Sequence, residues 1–252
     1  MEQKEIQDFL ARMEKEKGIK MLYACETGSR AWGFPSPDSD YDIRFIYMHE
    51  RDWYLRLHES KDTIECMEGD LDITGWELRK CLLLLKRSNA PLIERFQSPI
   101  VYFQEPGVVE DFGKLINSYY SPIAVFYHHY SLGSKIWEEI RDLSKFKLKS
   151  FFYLVRSLLS CNWITHDPTV LPMTIHGLFK YAEAGIPEKL QELIALKATV
   201  SEGYRHHWDY ALHSWIQQCF AQLEAARNSL PVNDTNMDAL NTYFLQMVNR
   251  PC

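Results

Sequence analysis

The stretch GSRAWGFPSPDSDYD, residues 28–42, decides the fold that the sequence predicts. Gly28 and Ser29 end an apolar run, IKMLYACE (residues 19–26), which has the length of a buried β-strand. Two prolines make the middle of the stretch a turn or loop. The residues DYDIRFIYM (40–48) then alternate well enough to predict a second strand. The sequence therefore predicts two early strands joined through a Gly-Ser turn.

This stretch carries residues suited to phosphate and metal chemistry. A Gly-Ser turn after a strand lets the backbone approach a phosphate, and a short helix after it would add free N–H groups to the Ser29 hydroxyl. Asp40 and Asp42 are two apart on the predicted strand, so we expect their carboxylates on one face. Such oxygens suit Mg²⁺, which also binds substrate phosphates. Alternatively, these acids with Asp38 only form a polar turn.

A predicted hairpin supplies a third acid. Thr63–Cys66 and Leu71–Thr74 have strand character and are joined around Gly69. If the second of these strands lies beside residues 40–48, Asp72 reaches the same cluster of carboxylates. Three carboxylates within about 4 Å of each other would repel by several kcal/mol per pair, and a bound cation removes that repulsion.

The periodicity changes from strands to helices along the chain. A helix is predicted over 2–17, and helical patterns dominate from Trp76 onward, at about 78–87, 109–119, 122–143, 146–165, 187–200, 203–228 and 235–248. Gln104–Gly107 is the best candidate for a boundary. We expect an α+β fold with a catalytic domain at 1–107, a mixed sheet flanked by helices, and an all-helical domain at 108–252. The active site is expected in the cleft between the two.

Charge and composition exclude several protein classes. With 252 residues and 46% apolar residues the chain is not disordered. The net charge is −6, and all of the excess acid lies in residues 1–118. A globally basic clamp for nucleic acid is therefore excluded, although a local basic groove is compatible with the sequence.

No segment predicts a membrane or export signal. The N-terminus is highly charged and lacks the apolar stretch of a signal peptide, and the longest aliphatic run is short and flanked by Lys and Arg. The six cysteines are scattered without a CxxC pair: Cys25, Cys66, Cys81, Cys161, Cys219 and Cys252. This pattern favours reduced thiols and a cytoplasmic protein, with no membrane partner.

A predicted helix in the second half offers a cationic face. Lys149, Tyr153 and Arg156 are spaced i, i+4 and i+7, so they share one side of the helix. Such a face can bind a triphosphate and stack on a base or ribose. The alternative is a solvated Lys-rich helix start with Tyr153 in the core.

A second, weaker constellation lies later in the chain. His206, Asp209 and His213 fall on one face of the helix predicted at 203–228, and this face can ligate a metal. No cysteine or fourth ligand stands nearby in the sequence, so we favour a structural role for these three residues.

The motif of residues 28–47 resembles the signature of nucleotidyltransferases of the DNA polymerase β superfamily. Two further stretches resemble its RNA-repair-pathway, or RNA-ligase-associated, branch: residues 70–102, with the third-acid strand, and KSFFYLVRSLLSCNW (149–163), with its Lys-x-x-x-Tyr-x-x-Arg helix. The likeness extends over about 20–165. The chain departs from the branch at Ala90 and at Arg95, where an aromatic residue is usual.

The resemblance implies a metal-dependent mechanism. Asp40 and Asp42 would hold two Mg²⁺ ions on the triphosphate, with Mn²⁺ as an alternative ion, and Asp72 would bind the second ion and help to deprotonate the attacking hydroxyl. Gly28 and Ser29 would hold the β- and γ-phosphates. Arg30 either assists them or forms a structural ion pair.

The function expected from these residues is transfer of a nucleoside monophosphate from an NTP, with ATP favoured, to a hydroxyl acceptor, releasing pyrophosphate. The resemblance implies an RNA or tRNA end as the acceptor. A protein hydroxyl or a small alcohol would use the same metal chemistry and stays open. A non-catalytic nucleotide-binding protein is the alternative of another class, and the presence of all three acids argues against it.

Overall fold

The fold is described from a computed structural model, which describes residues 2–57, 61–227, 230–231, 233 and 235–250. Cys252 and the predicted helix end at Asn228 lie outside these residues. The chain forms two compact units, each discontinuous in sequence. The first comprises Met1–Gly28, Asp40–Tyr119 and Asp234–Cys252, and the second comprises Ser29–Ser39 and Tyr120–Asn233.

A five-stranded mixed sheet organises the first unit. Its strands are β1 (Lys20–Thr27), β2 (Tyr41–Met48), β3 (Thr63–Glu68), β4 (Leu71–Glu77) and β5 (Val101–Gln104). Their order across the sheet is β3-β4-β2-β1-β5. The pair β2 and β4 is parallel, and the other neighbours are antiparallel. This sheet and the helices around it confirm the predicted α+β class.

Helices account for most of the remaining regular structure. They are α1 (Gln3–Lys17), α2 (Gly28–Trp32), α3 (Arg51–Tyr54), α4 (Leu78–Lys86), α5 (Ala90–Arg95), α6 (Val108–Tyr119), α7 (Pro122–Ile140), α8 (Leu148–His166), α9 (Ile175–Leu178), α10 (Ile186–Lys197), α11 (Tyr210–Ala226) and α12 (Asp238–Val248). A 3₁₀ turn follows α9 at Phe179–Tyr181. None of the helices in the described ranges combines the length and hydropathy that a bilayer crossing requires.

The core of the first unit lies between α1 and one face of the sheet. The spacing of the apolar residues on α1 places them on one side, and they pack against alternate residues of β2, among them Ile43 and Phe45, which are fully buried. Because strand residues alternate, Asp42 and Arg44 fall on the opposite face. The sheet therefore keeps Asp42 and Arg44 away from the α1 core.

The helix α12, last in sequence among the described elements, belongs to the first unit. Phe244 makes edge-to-face contact with the ring of Tyr54, and Tyr243 contacts Phe112 of α6 in the same way. The Tyr119 hydroxyl donates to the Asn236 carbonyl over 2.9 Å. Residues from the end of the chain thus complete the packing of the sheet-containing unit.

The second unit is helical except for one short ribbon, β6 (Lys145–Lys147) paired with β7 (Arg205–His207). Its centre is α8, whose residues are buried on most sides and which packs against α7, α9 and α11. Phe34, from the loop after α2, stacks on Phe152 of α8 with ring centroids 5.0 Å apart. This contact places part of the segment between β1 and β2, residues 28–40, which we call the signature loop, in the helical unit.

Several local predictions were wrong, and one strand was missed. The helix predicted at 203–228 begins only at Tyr210, because Arg205–His207 forms a strand. This strand pairs with residues 145–147, which the sequence predicted to lie at the start of α8. His206 therefore lies on a strand and does not share a helix face with His213. Strand β5 was not predicted, since it has four residues and little alternation.

Candidate active site

Asp42 and Asp72 face each other across the two parallel strands. They are direct partners in the register of β2 and β4, so their side chains leave the same face of the sheet. Both carboxylates are partly exposed, with 27% and 35% of the side chain accessible. The sequence predicted this proximity, and the parallel register is its physical cause.

A cation of the protein itself joins these two carboxylates. Arg44 follows Asp42 by two residues on β2, and its Nη2 lies 3.0 Å from Asp42 Oδ1 and 2.8 Å from Asp72 Oδ2. Its Nη1 donates to the Asp72 carbonyl over 2.8 Å. The guanidinium neutralises the repulsion that two adjacent carboxylates create. The point between Asp42 and Asp72 is thus already a cation position.

Asp40 lies just before the first residue of β2, and it is exposed. The direction of its side chain is therefore set by the loop and not by the alternation of residues along the strand. Across the described ranges, no group of three or more His, Cys, Asp and Glu side chains is arranged to hold a metal ion. The structure joins Asp42 with Asp72, and the role of Asp40 stays a prediction.

Gly28 lies directly against Asp42. Its φ is +63°, a conformation that side chains disfavour, and a Cβ built on it would stand 2.0 Å from Asp42 Oδ2. Only glycine leaves room for the carboxylate here. Gly28, which the sequence predicts to bind phosphate, therefore makes space for Asp42.

A buried carboxylate, Glu26, fixes the backbone of Asp42. Glu26 is completely inaccessible, and its Oε1 accepts the Asp42 N–H over 2.6 Å. Its Oε2 accepts the hydroxyl of Tyr102 from β5. The position of Asp42 is thus held by a residue that sequence analysis missed, although a charge at the end of an apolar strand was a visible signal.

In the second unit, Ser29 and Arg30 both contact Ser39. The hydroxyl of Ser29 lies 3.1 Å from that of Ser39, and Arg30 Nη2 donates to the Ser39 carbonyl over 2.7 Å. Ser29 is buried, with 4% of its surface accessible. The two residues after Gly28 therefore hold the far end of their own loop.

Lys149, Tyr153 and Arg156 lie on α8, as the sequence predicted, but in different environments. The Lys149 side chain is 42% exposed, and its Nζ lies 2.7 Å from Glu202 Oε2. Arg156 is 4% exposed, and its Nε and Nη2 both donate to the Met173 carbonyl over 3.2 Å.

Arg156 and Tyr153 also contact a ring of the signature loop. The guanidinium of Arg156 stands over the ring of Trp32 at 4.4 Å, and Tyr153 contacts the same ring edge-on at 4.9 Å. Trp32 thus packs against α8, a contact that anchors the loop to the helical unit.

Arg95 replaces an aromatic residue that the family resemblance predicts at this position. It is buried, and its guanidinium stacks on the ring of Trp76 with 3.4 Å to the centroid. Burial lowers the pKa of Arg95 to about 10. A planar guanidinium can occupy a ring-shaped space, so the departure preserves packing against Trp76.

Comparison with known proteins gives a whole-chain match. Residues 1–246 match the family described as the RNA repair pathway DNA polymerase beta family, RlaP. A relative, the uncharacterized protein YcgL of Bacillus subtilis (strain 168), is 36% identical over 245 residues, which are 96% of this chain and 94% of that protein.

Among solved structures, a nucleotidyltransferase-like protein from Exiguobacterium sibiricum 255-15 is similar with a TM-score of 0.31 and 12% identity. The alignment covers 98% of this chain and 82% of that one. The family match and the relative both extend over nearly the whole sequence. On these two findings, the chain belongs to the RNA repair pathway DNA polymerase beta family.

Proposed function

We propose that this protein transfers a nucleoside monophosphate from an NTP, with ATP favoured, to a hydroxyl acceptor. The acceptor oxygen forms a bond to the α-phosphorus, the bond from that phosphorus to the bridging oxygen breaks, and pyrophosphate leaves while the hydroxyl loses its proton. The observation that carries the proposal is the pair Asp42 and Asp72, whose carboxylates converge on one cation.

The donor set fits Mg²⁺, with Mn²⁺ as an alternative. Asp42 and Asp72 offer hard oxygens at a point where Arg44 already sits as a cation, and magnesium sites at phosphates commonly use one or two carboxylates. In the proposal Asp40 adds a third carboxylate, so that two ions are held. When bound, the metal neutralises the triphosphate charge and favours ionisation of the acceptor hydroxyl.

The chain's own residues would position the reactants. Asp72 would accept the proton of the attacking hydroxyl, and Glu26 holds the backbone that carries Asp42. Gly28 and Ser29 would receive the β- and γ-phosphates, with Arg30 in support. The side chains of Lys149, Tyr153 and Arg156 would bind the nucleotide through charge and stacking.

An RNA end is the acceptor that the family description favours. If RNA is the acceptor, its competition for turnover should weaken steeply as salt rises, because binding a polyanion releases counterions. A protein hydroxyl or a small alcohol would lack this steep dependence. Tight NTP binding without pyrophosphate release would instead identify a nucleotide-binding protein.

The direct test is incubation of the purified protein with labelled NTPs, Mg²⁺ and RNA, protein or small-alcohol acceptors. Asp42→Asn should lower the rate at least ~10³-fold, equivalent to about 4 kcal/mol of transition-state stabilisation. Asp70→Asn is the matched control, because Asp70 is exposed on the β3–β4 hairpin that also carries Asp72, and its backbone carbonyl, not its carboxylate, accepts the Tyr41 N–H. Equal signals from wild type and Asp42→Asn with every acceptor would contradict the proposed activity.

A further inference from the structure

Glu202, between β7 and α10, binds two polar residues of the second unit at once. Its Oε2 accepts from Lys149 Nζ over 2.7 Å, and its Oε1 accepts from the Ser39 hydroxyl over 2.9 Å. Its backbone N–H donates to Asp38 Oδ1 over 2.9 Å. The Glu202 side chain is only 22% exposed. One carboxylate therefore joins the first turn of α8 to the end of the signature loop.

The Ser39 contacts fix the direction of a neighbouring hydroxyl. A hydroxyl donates one hydrogen bond and accepts up to two. The Ser39 hydroxyl accepts the Ser36 N–H over 2.9 Å and gives its proton to Glu202, because a carboxylate paired with a lysine only accepts. The contact with Ser29 must then be one in which Ser29 donates. Glu202 thereby commits the proton of Ser29 to Ser39.

A buried lysine holds the loop in this arrangement. Lys197 at the end of α10 is 1% exposed, and its Nζ donates to the Ser36 hydroxyl over 2.8 Å. Burial lowers the pKa of Lys197, and Lys149 acts in the same direction, while Glu202 and Asp38 raise it. The loop is thus fastened to the segment 197–202 at both Ser36 and Ser39.

The carboxylate of Glu202 makes the contacts that an anionic ligand would make. A phosphate oxygen near Lys149 would accept from the same ammonium group, and one near Ser29 would need the proton now directed to Ser39. We propose that Glu202 is an internal competitor of the nucleotide phosphates, which must take Lys149 and the Ser29 hydroxyl from it. This inference rests on the proposed function, in which Lys149 and Ser29 bind phosphate.

Removal of the Glu202 charge should change anion affinity in opposite directions, depending on whether Glu202 competes with the ligand or helps to bind it. If Glu202 competes, removing its charge frees Lys149 and removes repulsion of the phosphates, so anion affinity rises. If Glu202 instead orients Lys149 for the ligand, the same change lowers affinity. The Glu202→Gln substitution preserves the shape of the side chain and separates the two cases.

The experiment is titration calorimetry of the full chain with inorganic tripolyphosphate and with ATP. Glu202→Gln should bind tripolyphosphate roughly fivefold more tightly than wild type, the range expected for a partly exposed ion pair. Asp209→Asn is the matched control: it removes one charge and the bond to Lys189 in the same unit, and asparagine can still cap α11. We expect its affinity to stay within about twofold of wild type.

A double variant makes the result specific. In a Lys149→Gln background, Glu202→Gln should increase affinity less than it does in the wild-type background, because only the repulsion between Glu202 and the phosphates is then removed. Thermal unfolding of each variant establishes that it is folded. Equal or weaker binding by Glu202→Gln, with wild type binding normally, would overturn the competition and leave the nucleotide function intact. Absence of binding in wild type and in every folded variant would overturn both.

Discussion

Arg44 Nη2 lies 3.0 Å from Asp42 Oδ1, so the strand that carries this candidate catalytic acid also carries its counter-ion. The same nitrogen reaches Asp72, and the Arg44 side chain is 19% exposed. In the absence of metal, the two acids are therefore kept close together by a residue of the same sheet.

Replacing Arg44 by glutamine should destabilise the metal-free protein by about 1 kcal/mol, because Asp42 and Asp72 then repel each other. Mg²⁺ should raise the melting temperature of Arg44→Gln more than that of wild type, since the ion replaces the missing charge. Scanning calorimetry with and without MgCl₂ measures this difference. Arg79→Gln is the control: it also removes one arginine charge, but from a guanidinium that stands over the rings of Tyr54 and Phe244. An equal Mg²⁺ effect in wild type and Arg44→Gln would contradict the prediction.

Gly28 and Gly69 form a matched pair of glycines with positive φ, +63° and +59°. A Cβ at Gly28 would collide with Asp42, whereas one at Gly69 meets nothing within 4 Å. Gly69→Ala should cost only the conformational penalty, about 1–2 kcal/mol. Gly28→Ala should cost more and lower nucleotidyl transfer about 10²-fold, because the displaced carboxylate no longer lies where the chemistry needs it.

Urea unfolding and the transfer assay together test this pair of variants. Similar losses of stability and full activity in both would show that Asp42 tolerates a neighbouring methyl group, contrary to the prediction.

We expect Glu26 both to hold Asp42 in position and to stabilise the folded protein. Glu26→Ala leaves the Asp42 N–H and the Tyr102 hydroxyl without their acceptor, at a cost of about 2–4 kcal/mol. It should also reduce transfer activity more than tenfold. Tyr102→Phe removes the hydroxyl alone, so we expect about 1 kcal/mol of destabilisation with activity retained. Full activity in folded Glu26→Ala would disprove a positioning role for Glu26.

The buried side chain of His129 should make the stability of the protein depend on pH. Burial lowers the pKa of His129 well below 6.5, and Arg156 and His128 act in the same direction. Below about pH 6.5 the unfolded chain therefore binds a proton that the folded protein does not. The free energy of unfolding should fall with decreasing pH, by at most about 1.4 kcal/mol per pH unit from this group.

A variant without His129 separates its contribution to the pH dependence of unfolding from the contributions of the other histidines. Burial also lowers the pKa of His49 and of His206, so wild type contains their contributions with the same sign. Urea unfolding of His129→Gln at a series of pH values should give a shallower loss of stability toward acid than wild type. Identical slopes would show that folding does not lower the pKa of His129.

Local patterns predicted the sheet around the candidate site. A continuous apolar run located β1, alternation located β2, and a hairpin pattern located β4. The expectation that β4 lies beside β2 placed Asp72 next to Asp42. Arg44 was overlooked because a polar residue at its position is also what alternation alone predicts. The strand pattern fixes which face a side chain occupies, but not which charges meet there.

The residues that sequence analysis missed act over long separations. Glu26 binds Tyr102, 76 residues away, and Glu202 binds Ser39 across 163 residues. The ribbon that displaced the start of a predicted helix pairs residues 145–147 with 205–207. No local periodicity encodes such pairs, since each depends on tertiary packing of segments that are distant along the chain.

The helix α12 packs in the same unit as the sheet, although about half of the chain lies between them. Synthesis proceeds from the N-terminus, so the sheet and the helices α3 and α6 leave the ribosome long before the aromatic side chains of α12 that pack on those two helices. Until residues 238–248 emerge, Tyr54 and Phe112 lack the rings that they contact in the finished molecule. A message truncated between residues 120 and 233 would thus yield a sheet-containing unit whose Tyr54 and Phe112 rings lack their α12 partners, a natural substrate for chaperones and proteases.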